Sequence, residues 1–218
     1  ALETSRRRHG ESVLDVAVVR LPHISNFDDF DPLAREPGVT LRYVDDAGSI
    51  GEPDLLILPG TKATMADLCW LRRRGLDLPI KALASRGKAV LGICGGYQML
   101  GTSLRDPEGV ESPQRETGGL GLLPVSTVFA PNKETHRIRG EVATPRGLLE
   151  DAAHARIEGY EIHMGQTPGD EAQAPFRILE RSGSPRSQAD GAMDATGRVA
   201  GTYVHGLFHN AVLRRALL

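Results

Sequence analysis

The sequence predicts an α/β fold, a mostly parallel central sheet flanked by helices with an antiparallel extension, and three observations carry that prediction. Several apolar runs in the first half are continuous rather than alternating, which suits parallel strands covered on both faces. Helical patterns intervene between those runs and set up a βαβ rhythm. Forty per cent of the residues are apolar and only 5% are aromatic, a balance that fits Ala-, Val- and Leu-rich layers better than a sandwich built on aromatics. At 218 residues the chain can build one sizeable core and is short for two.

Taken in order, residues 1–12 are polar, include Arg6-Arg7-Arg8, and read as a linker or disordered segment ahead of one domain over 13–218. Leu14 to Leu21, Val39 to Val44, Asp54 to Leu58 and Ala89 to Ile93 read as strands. Helices are expected over Ala63 to Arg73, with Thr61 or Thr64 available to cap, and over Leu78 to Arg86 before Gly87. Cys69, between Leu68 and Trp70, reads as helix core, and Arg72-Arg73-Arg74 as a solvated helix end. In the second half, Glu141 to Ala143, Gly159 to Met164, Phe176 to Leu179 and Arg198 to Val204 are shorter candidate strands separated by turn residues, the antiparallel part of the fold. Arg105 to Gly121 and Ser182 to Gly197 are rich in Gly, Pro, Ser, Asp and Glu and read as loops, which beside a site can act as lids.

The most informative stretch runs from Lys88 to Leu100, where the apolar strand stops at Cys94 and a helix-like pattern follows. Gly92 and Gly96 bracket the cysteine at two residues on either side, as a tight strand-to-helix turn requires when no β-carbon can intrude. A thiol there sits beside the positive end of a helix, with the Gly95 N–H aimed at an oxyanion formed on a carbonyl that Cys94 attacks. The competing reading is a small buried core cysteine. A nucleophilic cysteine needs a base, and His205 ends the β-like run Val199 to Val204 in a His-Gly pair. His163, in Gly159-Tyr160-Glu161-Ile162-His163-Met164-Gly165, is the rival, and on spacing alone either could be structural. His9, His23, His136, His154 and His209 lack a strand-end setting and read as surface or loop residues.

Gly92-x-Cys94-x-Gly96-x-Gln98 with the distal His205 is similar to the class I (triad) glutamine amidotransferases, which have a flavodoxin-like fold. The segments Val19 to Leu33, Leu58-Pro59-Gly60-Thr61-Lys62, Gly159 to Gly165 and Tyr203 to Phe208 narrow the resemblance to the C-terminal glutaminase domain of the cobyric acid synthase family, over nearly the whole chain from Val13 to Leu218. The resemblance implies Cys94 as the nucleophile for the glutamine amide and His205 as the base and acid that protonates departing ammonia. It implies Gly60 and Gly95 amides as oxyanion donors, Gln98 as part of the glutamine pocket, and His163 near the substrate. Most members of the class carry a Glu two residues after the histidine, and here that place is Leu207. Without a carboxylate partner the imidazole is expected to be less basic and less firmly oriented, and glutaminase activity weak; Glu161 is a possible substitute.

Charge and composition bound the partners. A formal net charge of −2 implies neither nucleic acid nor an anionic membrane, and the apolar runs are too short for a membrane span of about 20 residues. Two cysteines do not suggest a disulfide framework, so a cytoplasmic location is the default expectation. No Gly-x-x-x-x-Gly-Lys-Ser/Thr loop is present, no metal ligand set is expected, and the chain starts at Ala1 rather than Met, which suggests a fragment or separate subunit. The resemblance implies an N-terminal ATP-dependent synthetase domain or subunit as partner. That part would use ATP and magnesium and bind the corrin acceptor, while this chain needs only glutamine and no cofactor of its own. The alternatives are the glutaminase of a cobyrinic acid a,c-diamide synthase or of a peptidoglycan-lipid amidating complex, or a docking domain without catalysis.

Overall fold

A computed structural model describes residues 14–218; the linker expected over 1–12 lies outside the described residues. The first layer is a six-stranded sheet built on β1 (Leu14–Val19), β2 (Val39–Val44), β3 (Leu55–Leu58), β4 (Ala89–Ile93), β11 (Ala192–Met193) and β12 (Val199–Thr202). Its order is β11-β12-β4-β3-β1-β2, all parallel except the edge strand β11. Every residue of β3, β4 and β12 is buried, whereas edge strand β2 is half-buried. The continuous apolar runs are therefore the strands with a neighbour on each side and cover on both faces.

Helices α2 (Thr64–Arg73), α3 (Asp77–Ser85), α4 (Gly95–Leu100) and α5 (Ala211–Leu217) flank this sheet, after the single-turn α1 (Asp31–Ala34). Helix α2 buries Met65, Leu68 and Leu71 at helical spacing, so Cys69, one residue round from Leu68, faces out and its sulfur meets Arg73. That corrects the expectation of a core cysteine. At the start of α2 the Thr61 hydroxyl accepts the N–H of Ala63, the residue preceding the helix, whereas Thr64 does not cap it. Thr64 turns its hydroxyl to Gln98, and the Met65 N–H is taken by Glu111 from a distant loop. Arg72 is not simply solvated, because its guanidinium donates to the carbonyls of Gly118 and Gly119.

The antiparallel part forms a second sheet rather than a widening of the first. It contains β5 (Ser103–Arg105), β6 (Glu116–Gly118), β7 (Ser126–Val142), β8 (Arg156–Gln166), β9 (Phe176–Arg181) and β10 (Ser184–Asp190), with β8 on β7 and only the β5–β7 pair parallel. Both stretches expected to be loops carry strands: β6 lies within 105–121, and β10 and β11 within 182–197. Strand β10 pairs only with β9 and leaves its first five residues exposed, so polar residues and a proline serve there and no apolar alternation marks it. The long β8 leans back onto the first sheet through an antiparallel bridge between Tyr160 and His205. Among the described residues no helix is long and apolar enough to cross a membrane, and no cluster of ligand-type side chains could hold a metal ion.

Candidate active site

The strand order decides which loops meet. Because β12, β4, β3 and β1 are consecutive neighbours and parallel, the segments leaving their C-terminal ends lie side by side, the edge where open α/β sheets place their ligands. Those segments carry His205, Cys94, Gly60 with Thr61, and the Ser25–Phe30 turn.

Cys94 occupies a left-handed backbone conformation, φ 51° and ψ −108°, between β4 and α4. For a residue with a β-carbon this costs of order 1–3 kcal/mol and persists only where the surroundings enforce it. The bracketing glycines enforce it by contact. A β-carbon at Gly96 would lie 1.9 Å from the Leu58 carbonyl oxygen, and one at Gly92 would lie 2.7 Å from the Tyr97 nitrogen. The elbow can close against β3 only without them. The Cys94 thiol donates to the Ile162 carbonyl of β8 at 3.4 Å and opens into a cavity of about 320 Å³, at the small end of the range for small-molecule sites.

His205 is wholly buried beside it. Its Nδ1–H donates to Asp29 Oδ2 at 2.6 Å, and Asp29 Oδ1 accepts the Gly206 N–H at 2.9 Å. The orienting group of the imidazole is thus Asp29, from the single turn Phe27–Phe30 after β1. Glu161, the substitute suggested by sequence, instead pairs with Arg181 at 2.8 Å. This overturns the expectation of a weakly held, less basic ring. Burial pulls the imidazole pKa down, but the Asp29 hydrogen bond, joined by interaction with Cys94, outweighs it and lifts the value to about 9. Nε2 has no conventional hydrogen-bond partner among the described residues. Gly60 explains the close fit of the ring, since a β-carbon there would sit 2.7 Å from His205 Cε1.

The cavity wall is a chain of fixed polar groups. Gln98 is buried rather than a surface residue, with Oε1 accepting from Thr64 at 3.0 Å and Nε2 donating to the Tyr203 hydroxyl at 3.1 Å. His163 stacks on Tyr203 with ring centroids 3.9 Å apart and donates from Nδ1 to the Gly165 carbonyl at 2.9 Å. Both line the cavity. Glu111 was not foreseen. Its loop folds back so that Oε1 accepts the Met65 N–H at 2.9 Å, while Oε2 is buried without a hydrogen-bond partner among the described residues. Burial pushes this carboxyl above its ordinary pKa. Nothing in its Gly-Val-Glu-Ser setting marks it, whereas Asp29 lies inside a motif noted for its resemblance, among three candidate aspartates at 28, 29 and 31.

A strained cysteine at a strand-to-helix elbow, an Asp-held histidine and a cavity beside the thiol define the arrangement of a cysteine-nucleophile site. The chain matches the CobB/CobQ-like glutamine amidotransferase domain over residues 15–212, and it belongs to that family of enzymes. It is 47% identical over 97% of its length to the cobyric acid synthase of Moorella thermoacetica and 48% identical over 95% to that of Yersinia enterocolitica, and it covers 41% of each relative. The chain thus spans about two fifths of the length of these curated relatives. In fold it is similar to a chain of PurLQS from Thermotoga maritima, with a TM-score of 0.69 at 18% identity over 94% of this chain and 97% of the other. A second similar structure is described as a glutamine amidotransferase, with a TM-score of 0.59 at 18% identity over 93% and 96%.

Proposed function

We propose that this chain hydrolyses glutamine to glutamate and ammonia by acyl transfer through Cys94, as the glutaminase part of a cobyric acid synthase. The observation that carries the reading is the strained Cys94 opening into the cavity, with His205, held by Asp29, buried beside it. In the proposed sequence, His205 Nε2 takes the thiol proton, and the Cys94 thiolate attacks the side-chain amide carbon. The amides of Gly60 and Gly95 receive the oxyanion. Collapse of the tetrahedral adduct breaks the C–N bond as His205 returns the proton to the leaving ammonia. Water, deprotonated by the same ring, then cleaves the glutamyl thioester and releases glutamate. The Asp29 hydrogen bond favours the imidazolium, so the proton taken from the thiol is held by the ring until the acid step.

Gln98 and His163 shape the side-chain end of the pocket. Glu111, an anionic oxygen with no partner of its own, suits the α-ammonium of an amino acid. The length of the relatives supports a further portion beyond the residues given. In the proposed reading that portion is a synthetase that uses ATP and magnesium and passes the ammonia to corrin side-chain carboxylates in cobalamin biosynthesis.

The test is intact mass of the chain and of Cys94→Ala after treatment with 6-diazo-5-oxo-norleucine, a glutamine-mimicking alkylator. One adduct on the native chain, absent from the variant, is the expected result. No adduct on a folded native chain, with or without an added synthetase portion, overturns the reading.

A further inference from the structure

One side chain in contact with His205 has no part in the sequence just described. Tyr160, on β8, lies flat against the imidazole, with ring centroids 5.2 Å apart and planes inclined by only 14°. The contact is built in at two further levels. The backbones of Tyr160 and His205 exchange both hydrogen bonds of an antiparallel bridge, at 2.8 and 3.2 Å. The phenol is anchored in turn, because Asn26 Nδ2 donates to its hydroxyl from a left-handed backbone position, φ 57°, three residues before Asp29. The imidazole is therefore held at Nδ1 by Asp29, closed off at Cε1 by Gly60, and covered on one face by an aromatic ring tethered through its hydroxyl to Asn26.

Resting on the glutaminase reading, we propose that Tyr160 is a positioning residue for His205: its anchored ring keeps Nε2 turned to Cys94 and favours the imidazolium over the neutral ring. A cation within about 6 Å of an aromatic face is attracted by the ring quadrupole, more strongly where water is excluded. The titratable groups facing the imidazole are Asp29 from the turn after β1, Cys94 from the elbow and Tyr160 itself from β8. Asp29 and Tyr160 both act from the segment 26–29, one directly and one through Asn26, so the two restraints share a single support.

The experiment compares the native chain with Tyr160→Leu and Tyr160→Phe, by glutaminase kcat and KM and by nuclear magnetic resonance titration of the His205 ring. Leucine is expected to lower kcat about tenfold with KM within twofold, and to move the ring titration down by about one pH unit. Phenylalanine keeps the stacked face and is expected to restore both to within about threefold and a few tenths of a pH unit. If leucine lowers kcat without moving the titration, or leaves both unchanged in a folded protein, the proposal is overturned. Should the leucine variant not fold, Tyr160→Met carries the same comparison. A native chain that forms no glutamate, with or without an added synthetase portion, refutes the glutaminase reading, whereas the His205 titration still decides the role of Tyr160.

Discussion

Replacing Asp29 by Asn removes one charge from the centre of the site and leaves the shape nearly unchanged. In the native protein the carboxylate is 2% exposed and reaches His205 Nδ1 at 2.6 Å and the Gly206 N–H at 2.9 Å. The lift of the imidazole pKa from 6.5 to about 9, achieved against burial, corresponds to about 3 kcal/mol in favour of the charged ring. The Asp29 hydrogen bond is the largest single raising contribution, and Cys94 adds to it. Loss of the Asp29 contribution alone therefore predicts a fall of up to about 10² in kcat/KM. If the amide also turns its NH₂ to Nδ1 and forces the proton onto Nε2, the loss approaches the roughly 10⁴ known for this exchange in serine-protease triads. The assay is glutamate release against pH, with thermal unfolding as a control. Asn is expected to cost 10²–10⁴ and to return the His205 titration toward 6.5. Activity within threefold of native, with an unmoved titration, would refute the assignment of Asp29 as the orienting group.

Two further outcomes follow from buried carboxylates. Glu111→Gln keeps an acceptor for the Met65 N–H but removes the charge, so KM for glutamine is expected to rise about 10- to 100-fold with kcat little changed, as for loss of one charged hydrogen bond; steady-state glutaminase kinetics check it, and an unchanged KM counts against an ammonium site. Asp190 is buried, and burial pushes its carboxyl up to about 7 despite hydrogen bonds from Thr202 and the Tyr203 N–H. Its folded pKa lies above the unfolded value of 3.8, so its contribution to stability is complete below about pH 4 and is lost as pH rises through 7, a change on the order of 4 kcal/mol. Denaturant unfolding from pH 4 to 8 should show that decline in the native protein and a much flatter profile in Asp190→Asn.

How far the site was legible depends on whether its signal was local. Gly92, Cys94 and Gly96 announce themselves because the steric demand of an elbow falls on residues within four positions of one another. His205 is visible as a strand-end histidine, and β1, β3 and β4 as apolar runs. Strand β10 and most of β7 are not visible, because an exposed or half-exposed strand has no need of apolar residues on both faces. Cys69 was misplaced because one residue of helical phase separates the core side of α2 from water.

By itself, then, the sequence determined the class of fold and singled out Cys94 and His205, since apolar continuity, helical period and glycine placement are properties of neighbours in the chain. Only the tertiary structure decided what holds that histidine and what shapes the pocket. Asp29, Tyr160 and Glu111 stand 176, 45 and 17 residues from the groups they serve or from the nucleophile. Asp29 and Tyr160 arrive there because the order β12-β4-β3-β1 gathers four loop ends at one edge and β8 folds back across it, and Glu111 because the loop between β5 and β6 reaches the start of α2. The usual carboxylate two residues beyond the histidine is replaced by one from the opposite end of the chain, and no spacing rule along the sequence connects them. A hydrogen bond requires only that donor and acceptor meet in space.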